Sequence, residues 1–347
     1  MDWPFLMLFF FGGLSALLLL GLPVAFAFLF VNVIGVYVFW GGAIGLQQLI
    51  LSIDSSISTF VLVPVPMFIL MGTVIFHSGI AYRMIDVLDE WLGRIAGRLA
   101  LLSIGAGSLF ATLTGVAMGS VAMLGSTLVP DMERRGYSKS MSIGPILASG
   151  SLAIMIPPSA LGVILASMGQ FSVGKLLIGI LLPGLLLAVV YATYVVIRCH
   201  IQPHLAPAYE VAPTAIRPRI MRTLQYVLPL VIIIGVVIGT IFAGVATPTE
   251  ASALGALFCF LLVACYGKLT WQVIKKSVAA ATTISVMVFV ILTGSAAFSQ
   301  ILAFTGITVG ITELALAWSE HPILILIAMQ VILLLLGMLI EQTSIVM

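Results

Sequence analysis

No charged residue occurs in 3–53, 99–130, 223–249 or 277–312. About 20 apolar residues suffice for a helix to cross the hydrocarbon core of a bilayer, so each stretch is long enough for at least one span. Backbone N–H and C=O groups inside lipid must be satisfied internally, and a helix does this within one segment. Composition agrees, with 62% hydrophobic and 7% charged residues against about 25% charged in a soluble domain. The fold class expected is an all-α polytopic membrane protein.

Several function classes drop out early. Cys199, Cys259 and Cys265 lack metal-ligand spacing, and there is no GxxxxGK[ST], helix-opening GxGxxG or HExxH. Ser108 has no histidine placed to activate it, so neither an enzyme nor a resident cofactor is expected. The net charge of +2 sits in loops and gives no reason to expect a nucleic-acid partner. The N-terminal run lacks a basic n-region and continues apolar, which makes it a poor signal peptide.

Apolar runs between polar breaks predict spans near 4–21, 24–40, 61–80, 140–165, 176–197, 224–243, 249–266 and 278–303. Lys and Arg concentrate in 83–98, 131–139, 198–222 and 268–276, so these loops are placed on the cytoplasmic side. Segment 304–320 carries only Glu313 and Glu320 and is placed outside. Both ends of 99–130 then face the cytoplasm, which a single span cannot satisfy. A re-entrant hairpin can, with arms near 99–113 and up to 129 and a tip at Thr114–Ser120; two short spans around a Gly-rich turn are the alternative. Irregular backbone at that depth survives only against protein or a water-filled cavity.

The chain also repeats itself weakly. Pro23 and Pro248 each open an apolar helix, "MFILMGTVIFHSGI" (67–80) matches "VFVILTGSAAFSQIL" (288–302), and "GSVAM" (119–123) matches "TSIVM" (343–347), at offsets of 221 to 225 residues. The loop assignment gives the halves opposite orientations, the inverted repeat that places a binding site near the bilayer midplane. Segment 41–58 reads as an interfacial arm.

The most chemically loaded stretch is "PILASGSLAIMIPPSALG" (145–162). Pro157 and Pro158 lack amide hydrogens, so the carbonyls near Ala153 and Ile154 lose their helical donors. Freed carbonyls beside Ser149, Gly150 and Ser151 suit a monovalent cation, and the helix start after the break suits a carboxylate. A proline-kinked helix with packed Ser and Gly has the same letters. Glu250 reads as a helix-start residue capped by Thr247 or Thr249, with a cation or proton site as the other reading. Glu341 is open between a site and structural pairing, Asp54 is solvent-facing, and the histidines carry little, with His77 near a cytoplasmic helix end.

Residues 114–159, from "TGVAMGS" through "LGSTLVPDMERRGY" to "IPPS", resemble the hallmark region of the large membrane subunit of tripartite ATP-independent periplasmic (TRAP) transporters. "GLPVAFA" (21–27), "PMFILMG" (66–72) and "GVATPTEASALG" (244–255) are similar to further family segments, so the resemblance covers essentially the whole chain. It implies an inverted-repeat elevator-type transporter with re-entrant hairpins and broken helices. It also implies Na+ as coupling ion, organic acid anions as substrates, a small TRAP membrane subunit, a periplasmic substrate-binding protein and an inner-membrane location. Carried onto this sequence, the ion and substrate positions are Thr114, Gly115, Gly119, Ser120, Ser149, Gly150, Ser151, Pro157, Pro158 and Ser159. Gln342, Thr343 and Ser344 would form the tip of the second hairpin. Na+ is expected near Ser120, Ser149, Gly150, Thr343 and Ser344.

The implied organisation is scaffold helices and arm (1–98), first hairpin with broken helix and following span (99–197), cytoplasmic linker (198–222), second scaffold (223–320) and an incomplete second hairpin (321–347). The first tip has fewer hydroxyls than the family pattern. A second hairpin arm and a second Pro–Pro break are missing, so the chain is expected to be the front part of a longer permease. A binding-protein-independent anion/Na+ symporter of related fold, or a transport-incompetent fragment or scaffold, are the alternatives.

Overall fold

The structure is a computed structural model describing residues 3–93, 95–114, 117–207, 215–318, 321–339 and 345. Among these residues every regular element is helical. In chain order they are α1 (Trp3–Met7), α2 (Gly13–Leu19), α3 (Val24–Phe39), α4 (Ala43–Ile57), α5 (Pro64–His77) and α6 (Ile80–Trp91). There follow α7 (Arg98–Thr114), α8 (Ala117–Arg134), α9 (Lys139–Met155), α10 (Ala160–Met168), α11 (Val173–Ile201) and α12 (Ile216–Tyr226). The last are α13 (Leu228–Phe242), α14 (Pro248–Cys265), α15 (Trp271–Phe304), α16 (Ile307–Trp318) and α17 (Pro322–Leu339).

Five helical runs among the described residues are long and apolar enough to cross a membrane: 60–77, 173–201, 216–242, 248–265 and 271–304. The α9–α10 pair makes a sixth, bent by 47° at its break. The predicted spans 4–21 and 24–40 appear as shorter apolar helices, Trp3–Leu19 and Val24–Phe39. A π-helical turn, Leu8–Gly12, interrupts the first of them. Leucines and valines point outward along α11, including Leu182, Leu186 and Val189; such surface is stable facing acyl chains and costly facing water.

The described chain divides into two compact units, Met1–Thr59 with Ser285–Met347, and Phe60–Ile284. In the first, aromatic packing fixes the core. Phe10 is fully buried and meets Phe298 edge-on at 6.0 Å, and Phe28 meets the same ring at 5.4 Å. Gly35 exists for this contact, since a Cβ there would lie 2.4 Å from the Phe10 ring. Asn32 of α3 donates from Nδ2 to the Gly294 carbonyl of α15 at 2.6 Å.

In the second unit α14 packs on α5, with Gly255 against Met71. The two halves of the sequence repeat thus exchange partners. The Pro-started helix of each half, α3 or α14, packs against the Gly-bearing helix of the other half, α15 or α5.

The cationic loops are more structured than expected. Arg98 is only 2% exposed, and its Nε and Nη2 grip both oxygens of Asp89 at 2.7 Å. Nη1 reaches the Gly93 carbonyl at 3.1 Å. A charge withdrawn from water needs such a bidentate partner, and this one pins the start of α7 to the end of α6.

Segment 198–222, expected as a linker, holds the first part of α12, which lies on α6. Trp91 Nε1 donates to Thr223 Oγ1 at 2.8 Å, and Arg222 pairs with Glu90. Burial, then the neighbouring Asp89 and Glu90 carboxylates, push the Asp86 carboxyl above its usual range against the pull of Arg222. Likewise 304–320, read as a loop, contains α16.

Candidate functional site

The site is built where α7, α8 and α9 pack on one another. Two glycines permit the close approach. A Cβ on Gly107 of α7 would fall 2.3 Å from both Cβ and Oγ of Ser149. One on Gly150 would fall 2.4 Å from Val121 Cγ2 and 3.6 Å from the Ala117 carbonyl oxygen of α8. Helix α9 therefore lies between the two hairpin arms, with Ser149 against α7 and Gly150 against α8.

Ser149 is fully buried and Ser120 is 1% exposed. Ser149 Oγ donates to the Ile146 carbonyl at 2.7 Å, and Ser120 Oγ donates to the Ala117 carbonyl at 2.9 Å. A hydroxyl has one proton and two lone pairs. With each proton committed to its own helix, the oxygens remain as acceptors, the state a cation ligand requires.

Beyond Met155 the chain leaves the helix. Ile156 is extended (φ −104°, ψ 115°), Pro157 and Pro158 follow, and Ser159 caps α10 by accepting from the Gly162 amide at 3.1 Å. The break falls where the missing proline amides predict it, and the Ala153 and Ile154 carbonyls have no fourth-residue amide to accept. Helix α11 comes against this break: a Cβ on Gly184 would lie 2.5 Å from the Met155 oxygen.

The remaining predicted positions divide. Ser151 lies about 200° around α9 from Ser149, and its Oγ is 3.1 Å from the Tyr191 hydroxyl of α11. It faces away from the hairpin arms. Pro157 and Pro158 border an apolar gap of about 10 Å³ against α11 and α13, no larger than one water. The structure thus places Ser149 and Gly150 on the side of α9 that meets the hairpin arms, with Ser120 on the arm that Gly150 meets, and sets Ser151, Pro157, Pro158 and Ser159 on the far side of α9 or in its break.

The expected hairpin tip, 114–120, is narrower than predicted. Thr114 ends α7, and Gly119 and Ser120 already belong to the first turns of α8, because Ala117 and Met118 favour helix. Gly115, Gln342, Thr343 and Ser344 lie outside the described residues, as does Glu341.

Beside Ser120 opens a cavity of about 420 Å³ between α5, α7, α8 and α15, a volume in the range of small-molecule sites. Its lining is mostly apolar, with Thr73, His77, Ser120 and Ser126 as polar members. Thr73 and Ser277 lock α5 to α15 reciprocally: each hydroxyl donates to the other's carbonyl at 3.2 Å. His77 Nδ1 lies 2.8 Å from the Thr73 carbonyl oxygen. A carbonyl only accepts, so Nδ1 carries the hydrogen and Nε2 is left for another partner.

Sequence reading passed over His77. The signal was there, since Thr73 and His77 stand four apart on one helix face. Glu250 is a helix-start residue. Its Oε2 accepts from the Thr247 amide and hydroxyl, both at 2.8 Å, while Thr247 Oγ1 accepts from the Glu250 amide at 3.3 Å, a capping box.

The sequence has relatives among known proteins. The family model described as "Tripartite ATP-independent periplasmic transporter, DctM component" matches residues 11–347. The chain belongs to this family. It is 31% identical to the C4-dicarboxylate TRAP transporter large permease protein DctM of Rhodobacter capsulatus, over 97% of this chain and 78% of that one.

It is 30% identical to the ectoine TRAP transporter large permease protein TeaC of Halomonas elongata, over 86% and 69%. To the sialic acid TRAP transporter large permease protein SiaM of Vibrio cholerae it is 28% identical, over 96% and 76%. As a DctM-family protein the chain is the large permease of a secondary transporter, an inner-membrane protein of a permease rather than enzyme family. TRAP large permeases work with a small membrane subunit and a periplasmic binding protein.

Proposed function

We propose that this DctM-family permease imports organic acid anions, handed over by a periplasmic binding protein, using the Na+ gradient. The observation that carries the reading is the pair of buried hydroxyls, Ser120 and Ser149, with protons committed to their own helices at the crossing of hairpin and broken helix. Hydroxyl and backbone oxygens of this kind coordinate a hard monovalent cation, and the open carbonyls at Ala153 and Ile154 add to the supply.

The adjacent cavity takes the substrate. His77 is among the described residues lining it, and an imidazole bearing hydrogens on both nitrogens would give a carboxylate a charged donor through Nε2. Two of the three relatives named above carry acids by name, a C4-dicarboxylate and sialic acid. Gln342, Thr343 and Ser344 are assigned to the matching tip of the second half. Segment 99–197 moves as the transport half against the scaffold helices 1–98 and 223–320, in an elevator-type cycle, with 198–222 on the cytoplasmic side between the repeats.

The test is uptake of labelled C4-dicarboxylate or sialic acid into proteoliposomes holding the chain and its small membrane subunit. Uptake is expected only when an inward Na+ gradient and the binding protein are both supplied. Uptake at full rate without the binding protein would identify a stand-alone anion symporter. Equal uptake when K+ replaces Na+ would refute the coupling ion.

A further inference from the structure

We propose that the permease binds the phosphate of an anionic phospholipid in a second, cationic cavity on its cytoplasmic side. This cavity, about 230 Å³, is bordered by Ser78, Gly79, Arg83, Tyr226, Tyr266 and Lys268. Two of these residues are cations, and among the described residues no carboxylate lines the cavity.

Its donors are held in place. Arg83 Nη1 donates to the Tyr226 hydroxyl at 2.6 Å, and the guanidinium stands 5.3 Å over the centre of that ring. Having accepted this bond, the Tyr226 hydroxyl keeps its own hydrogen to donate. Tyr266 stacks on Tyr226 at 5.6 Å and is fixed in turn by a hydrogen bond to the Gln225 carbonyl. Gly79, in the left-handed region at φ +76°, turns the chain from α5 into α6. The start of α6, the positive end of its helix dipole, therefore borders the same space. A guanidinium, an ammonium, a phenol proton and a helix start converging on one small cavity suit an anion with several oxygens, as a phosphate is.

The location selects a lipid as the carrier of that phosphate. The spans 60–77 and 248–265 end at His77 and Cys265, immediately before cavity residues. Lys and Arg cluster in the loops on this side, which places it in the cytoplasm. The cavity therefore sits at headgroup depth, where aromatic side chains gather and anionic lipids meet basic pockets between helices. From it Leu228 and Val231 of α13 and Leu261 of α14 present exposed apolar side chains toward the bilayer, a path for acyl chains.

The experiment is thermal unfolding of the purified full chain in detergent, with added phosphatidylglycerol, phosphatidylcholine or inorganic phosphate. Phosphatidylglycerol is expected to raise Tm, and the other two to have little effect. Lys268 is exposed, so K268Q should unfold like wild type without lipid yet show at most half of the lipid-induced rise. K268E and R83Q/K268Q should show none. Should R83Q weaken folding through its tyrosine contact, K268Q and K268E decide alone. A full rise in K268E, an equal rise with phosphatidylcholine, or equal protection by inorganic phosphate would each overturn the proposal.

Discussion

Replacing Pro157 and Pro158 together by alanine will reduce substrate uptake to background while the protein still folds and reaches the membrane. The two prolines remove two consecutive amide donors, and the backbone departs from helix at Ile156 and re-enters it only under the Ser159 cap. Alanine at both positions restores the donors and favours helix, a shift of about 3 kcal/mol per proline removed from a helix interior. The Ala153 and Ile154 carbonyls would then be consumed by ordinary helical bonds, and the 47° bend would lose its cause. The gap beside the proline rings is lined by apolar residues, so their truncation opens little polar surface there and expression should remain near normal. Wild-type uptake in the double variant would show that the break is dispensable.

Gly107→Ala is expected to lower stability by about 1–3 kcal/mol and to abolish uptake, although it adds a single methyl group. That methyl must fall 2.3 Å from the Ser149 side chain, so α7 and α9 have to part at the site. Gly105, on the same helix, has open space where its Cβ would be, and Gly105→Ala should be neutral or mildly stabilising. Gly107→Ala combined with Ser149→Gly exchanges the two volumes. It should recover thermal stability while leaving sodium-dependent uptake impaired, since the hydroxyl is gone. Equal behaviour of Gly105→Ala and Gly107→Ala would remove the packing argument.

Legibility in the sequence followed the range of the physics involved. The break at Pro157–Pro158 is local, because a proline lacks its amide wherever it stands, and it appeared at the expected residues. So did the start of α14, where Thr247 and Glu250 sit at capping-box spacing. Ser149 and Gly150 stood out as interruptions of an apolar run and Ser120 as the end of a hairpin tip; Ser149 meets α7 and Gly150 meets α8, the helix that carries Ser120.

Ser151 carries the same letters and faces Tyr191 instead, since only the packing of α11 decides which side of α9 meets what. Gly107 and Gly184 carried no signal, because the reason for a helical glycine lies in the side chain or carbonyl of another helix. His77 was read as a helix-end residue, and its cavity exists only once α5, α8 and α15 converge. In α12 the polar sequence 216–222 looked like linker; it is helical in company with α6, through Trp91, Glu90 and their partners.

The claim at the centre is that buried serine oxygens at the crossing of hairpin and broken helix bind the coupling Na+. It is tested most directly by the Na+ concentration dependence of uptake in Ser120→Ala and Ser149→Ala, with transporter amount matched to wild type. Losing one ligand should raise the half-saturating Na+ concentration by about tenfold, equivalent to about 1.4 kcal/mol, while substrate affinity of the binding protein stays the same. An unchanged Na+ response in both variants would contradict the assignment.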